Sequence, residues 1–110
     1  MEQNMKKPKH EMISKWYKFY FFEDCFECHY KYMPKKVRTI AYKDIIDISF
    51  LIVRPAYSFV PSYVYKLILD GQPDMIIVAC NKKQRAALVP AMECVKEYRA
   101  NFVMKMANSQ

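Results

Sequence analysis

The most reactive-looking run in this chain is Cys25-Phe26-Glu27-Cys28-His29, which matches the C-x-x-C-H spacing of haem attachment and supplies two thiols of a zinc half-site. The surrounding residues argue against both uses. From Phe26 to Tyr32 apolar and polar residues alternate, so in a strand Cys28 and His29 point to opposite faces. No second paired set exists, because His10, Cys80 and Cys94 stand alone. No metal and no cofactor are expected, with Cys28 a buried thiol and Cys25 a turn residue. A second candidate set is basic: Lys31, Lys35, Lys36, Arg38 and Tyr42 fall on one stretch, where ammonium and guanidinium groups on a hairpin could converge on a phosphate. The same lysines read more readily as solvated charges that keep a strand edge from pairing. A third set is aromatic. Trp16, Tyr17, Phe19, Tyr20, His29, Tyr30 and Tyr32 beside a basic background suggest base stacking, although the alternation turns Tyr30 and Tyr32 inward toward a core.

Catalysis finds little support among these residues. His10 sits near the N-terminus, His29 on the polar face of a strand, and the carboxylates are scattered among turns and caps. The chain has a single glycine, Gly71, so the glycine-rich cradles of dinucleotide and P-loop enzymes are excluded. The expectation is a protein that is not an enzyme and takes no small-molecule substrate.

The elements that must position these residues belong to one domain, since 110 residues leave no room for two cores. A hydrophobic fraction of 53% and an aromatic fraction of 15% argue against disorder. The formal charge of +7 favours an anionic partner wherever electrostatics steer association. That charge is unevenly spread. Residues 1–43 carry ten Lys/Arg against five Asp/Glu, residues 44–80 carry two against four, and residues 81–110 carry six against two. No 18-residue apolar run is present, and the lysines near the N-terminus are not followed by an apolar segment, so the expected compartment is the cytoplasm with reduced cysteines.

Residues 1–12 are polar and basic and read as a flexible arm, leaving 13–110 as the folded domain. Lys15 to Phe22 is an aromatic-rich strand closed by Glu23-Asp24, and Phe26 to Tyr32 is the next. Met33-Pro34-Lys35 predicts a break, after which Lys36 to Tyr42 resumes and pairs back as a hairpin. Ile45 to Val53 places Ile46, Ile48, Phe50 and Ile52 on a core face. Tyr63 to Leu69 and Met75 to Cys80 form a second hairpin around Asp70-Gly71-Gln72-Pro73-Asp74. Then the period lengthens to that of a helix, with Leu88, Ala91, Met92, Val95, Tyr98, Phe102 and Met106 in one stripe. Asn81 and Gln84 form a capping-box pair, and Pro90 predicts a kink or restart near residues 86–90.

The expected fold is mainly β with one C-terminal helix: an antiparallel barrel or sandwich of six to seven strands capped by a long helix. In this order of elements the chain resembles the bacterial pleckstrin-homology-like domains. Tyr20-Phe21-Phe22-Glu23-Asp24 resembles the family's first strand and acidic turn. Arg38-Thr39-Ile40-Ala41-Tyr42-Lys43-Asp44-Ile45 resembles its strand ending in y-x-D-I, and the Asp70-Gly71 hairpin leads to the closing helix. Lys31, Lys36, Arg38 and Tyr42 have the order of the basic motif by which some eukaryotic members hold inositol phosphates.

The resemblance implies a bacterial binding or scaffolding module, often oligomeric or membrane-associated, that engages a protein partner or itself. Val103, Met104 and Met106, in the last helical turns beyond what a small barrel needs, are the expected protein interface. Nucleic-acid binding, or contact of the Lys31–Tyr42 hairpin with anionic lipid headgroups, is the alternative.

Overall fold

The computed structural model describes residues 7–54, 56 and 59–108. Seven strands precede one helix: β1 His10–Ile13, β2 Tyr17–Phe21, β3 Cys25–Tyr30, β4 Met33–Ala41, β5 Ile45–Val53, β6 Ser62–Leu69, β7 Met75–Ala79 and α1 Lys82–Asn108. A 3-10 turn, Tyr42–Asp44, joins β4 to β5. All pairing is antiparallel, in a four-stranded meander β1-β2-β3-β4 and a three-stranded meander β5-β6-β7. The two sheets do not close into a barrel. No helix is long and apolar enough to cross a membrane among the described residues.

The core follows from side-chain alternation on facing strands. Phe19, Phe21, Phe26, Cys28 and Ile40 point inward from the first sheet, and Tyr65, Leu67, Leu69, Met75, Ile77 and Ala79 from the second. Leu88, Ala91, Met92 and Val95 repeat at helical spacing and are all fully buried, so one stripe of α1 covers the gap between the sheets. Burying an apolar side chain of this size stabilises the fold by about 1.5–3 kcal/mol.

Three expectations are corrected. Residues 10–12 are not part of an arm, because His10–Ile13 pairs with Phe21 through Lys18 and Met12 is buried; residues 1–6 lie outside the described residues. The hairpin after β3 turns at Lys31-Tyr32, and β4 starts at Met33, so Pro34 does not break the strand. β4 is the sheet edge, and Pro34 falls at the β3–β4 register shift between the Met33 and Val37 pairs, where a strand accommodates a missing backbone donor. The earlier turn also swings Tyr32 out of the core, to 70% exposure.

The helix begins as expected. Asn81 Oδ1 accepts the Gln84 N–H at 2.8 Å, and the Gln84 side chain reaches back to accept the Cys80 N–H at 2.8 Å. There is no restart: α1 runs unbroken through Pro90, which lies on its exposed side. Gly71, with φ of +74°, makes the β6–β7 turn in the left-handed region that favours glycine.

Candidate functional site

The basic set read from the sequence does not converge. Tyr42 is buried, and its hydroxyl donates to the Phe22 carbonyl at 2.6 Å. Burial holds the phenol protonated well above its ordinary range, helped by the Cys25 and Cys94 thiols and by Asp24. Arg38 pairs across the ladder with the inward-facing Cys28 and donates to Gln72 Oε1 and to the Pro73 carbonyl, each at 3.0 Å, which ties β4 to the β6–β7 turn. Lys36 lies over the Tyr30 ring, 5.1 Å from its centroid. Lys35 is exposed, and Lys31 contributes to a concave surface.

That surface lies on the outer face of the first sheet. Lys18, Tyr20, His29, Tyr30, Lys31 and Tyr32 line an open concavity of about 500 Å³. The Tyr20 and His29 rings meet edge to face at 5.0 Å, and His29 Nε2 is 2.8 Å from Glu27 Oε1. Beside it Trp16 meets Tyr32 edge to face at 5.5 Å, with the Lys15 ammonium 5.2 Å from the Trp16 ring centroid. Of the aromatics proposed for stacking, Phe19 is buried in the core, while Tyr17 and Tyr30 are half-buried against it.

Cys25 is not a turn residue but opens β3, three positions before Cys28, which faces the core with its thiol pushed up to about 11 by burial against the opposing effect of Arg38. No disulfide links the four cysteines. No group of three His, Cys, Asp or Glu residues able to hold a metal lies together among the described residues.

The feature that sequence reading missed is the edge of the second sheet. Among the described residues β5 pairs with β6 alone, leaving its other edge open. A register shift between Ile45 and Asp47 buries Ile45 and leaves Ile46 exposed. Beyond it Ile48, Phe50 and Ile52 lie opposite Leu67, Tyr65 and Tyr63, on the core-facing side as the alternation predicts. The face is right but the cover is missing. Phe50 and Ile52 stay largely exposed, and on the opposite face Leu51 is 61% exposed with Val53 beside it. Arg99 of α1 donates to the Ile45 and Ile46 carbonyls at 3.0 and 2.6 Å, covering the start of the strand and nothing further.

This is an unusual edge. From Ile45 to Val53 the only charge is Asp47, and the strand has no proline or lysine, the residues that ordinarily keep an edge from pairing. The signal was present as the unbroken run Phe50-Leu51-Ile52-Val53, apolar at both parities, which a strand with one wet face does not need. At the other proposed interface, Val103 and Met104 are exposed near the end of α1, and the side chain of Met106 lies outside the described residues.

Comparison with protein-family models, with curated proteins and with solved structures finds no match for this chain.

Proposed function

We propose that this chain is a non-enzymatic binding module, pleckstrin-homology-like in its order of elements, that engages a protein partner or itself through the edge of β5 and the exposed end of α1. Two antiparallel meanders of four and three strands followed by a closing helix support the resemblance. The observation that carries the functional reading is the open apolar edge at residues 47–53. Its backbone groups are satisfied best by another strand, and its side chains lie in a contiguous patch of the kind that marks interaction surfaces. The proposed compartment is the cytoplasm.

The test compares what immobilised wild-type and Leu51→Lys proteins retain, with this chain itself included among the candidate ligands. Leu51 is on the outer face of the edge strand, so the lysine leaves the core intact and places a charge on the docking edge. A ligand held by wild type and lost by the variant is the expected result. Identical retention by both proteins would remove the reading.

The outer concavity favours one alternative, a small basic nucleic-acid binder that uses Lys18 and Lys31 on phosphates with Tyr32 and Trp16 available for stacking. On that reading, affinity for single-stranded nucleic acid falls linearly in log–log plots against salt, and Lys18→Glu with Lys31→Glu abolishes it.

A further inference from the structure

We infer that the occupant of the β5 edge is β5 of a second copy, paired antiparallel about a two-fold axis to make one six-stranded sheet; this rests on the binding reading above and names its partner. The first argument is the kind of surface. The open edge asks for a strand, and the apolar residues on both of its faces ask for a strand that is itself apolar on both faces. β5 meets that description. A two-fold axis normal to the sheet sets residues of equal parity opposite each other, so core-face residues meet core-face residues. With the axis at Phe50, Phe50 faces its own equivalent and Ile48 faces Ile52, while on the other side Ser49 faces Leu51.

The second argument is charge. Two copies of a +7 chain repel over most of their surface, yet residues 44–80 carry only two Lys/Arg against four Asp/Glu. This sheet is where the two copies meet with least repulsion. With the axis at Phe50 each Asp47 lies opposite Val53 of the other copy, so no like charges face each other across the join. The third argument is closure. Arg99 occupies the Ile45 and Ile46 carbonyls, so pairing is confined to residues 47–53, and a two-fold contact uses up the same edge in both copies without propagating into a fibre.

The experiment is light scattering of the purified full chain across a dilution series, together with hydrogen exchange of the 47–53 amides over the same series. Wild type is expected to run at twice the 13.2 kDa chain mass, with 47–53 protection rising with concentration. Leu51→Lys is expected to weaken self-association by on the order of 100-fold, because each subunit brings its lysine close to the axis. Ile76→Lys, an exposed site on β7 at the opposite edge of the same sheet, leaves the mass unchanged. A wild-type chain that stays monomeric, or a dimer whose 47–53 amides exchange freely, overturns the inference. The exchange data decide this even if Leu51→Lys fails to fold. A monomeric chain that still holds another ligand lost in Leu51→Lys overturns self-pairing alone, whereas identical retention by both proteins removes the wider reading.

Discussion

Replacing Tyr42 by Phe separates a structural hydroxyl from a ligand-binding one, and its size follows from the geometry. The ring is 1% exposed and packs against Phe26 and Tyr98 at centroid distances of 6.4 and 5.5 Å, contacts that phenylalanine keeps. What is lost is the 2.6 Å hydrogen bond to the Phe22 carbonyl. The net loss of such a bond is about 1 kcal/mol, rising toward about 3 if the carbonyl is left without a partner. Each kcal/mol lowers the melting temperature of a domain this size by about 4–8 °C.

The pH dependence adds a second reading from the same variant. Burial raises the Tyr42 phenol above its ordinary value of 10.0 in the folded chain, while the unfolded chain ionises near that value. The unfolded state therefore binds fewer protons above pH 10, so the stability contributed by the protonated phenol is complete below that pH and declines above it by about 1.4 kcal/mol per unit. Tyr42→Phe has no phenol at this position and escapes the decline. Urea denaturation of both proteins from pH 7 to alkaline conditions should show a gap of about 1–3 kcal/mol that narrows above pH 10. Titration of Cys28 and Tyr65 is common to both proteins and cancels in the comparison. A gap that stays constant through the alkaline range, or a variant as stable as wild type at neutral pH, would refute the placement of the hydroxyl.

Two further outcomes follow from the same geometry. Arg38→Met should cost about 1–3 kcal/mol in urea denaturation through loss of its bonds to Gln72 and Pro73, against about 0.5 or less for Lys35→Met on the exposed strand. Equal stability for the two would return Arg38 to the list of ligand-binding candidates. Asn81→Ala removes the acceptor for the Gln84 N–H and should lower stability by about 0.5–2 kcal/mol, with the loss of helix end structure visible as faster amide exchange at residues 82–85.

Local chemistry and side-chain period were legible before any coordinates. The start of α1 at Asn81 and Gln84, the turn at Gly71 and the buried alternation of β6 all depend on contacts within a few residues or on a two-residue repeat. β1 was missed because it contributes only one buried side chain, Met12, and its identity as a strand comes from pairing with β2. The basic set failed for a related reason. Proximity in sequence brought Arg38 and Tyr42 together, but the fold sends one to the β6–β7 turn and the other to the Phe22 carbonyl.

The β5 edge divides the two sources of information most clearly. Hydrophobic pattern determined that Ile48, Phe50 and Ile52 share a face, since strand geometry alternates side chains without reference to anything outside the strand. Whether that face is covered, and whether the strand has one neighbour or two, depended on where the four-stranded sheet ends and where α1 lies across it. Those are distances between elements far apart in the chain, set by the packing of the whole core, and no local pattern encodes them.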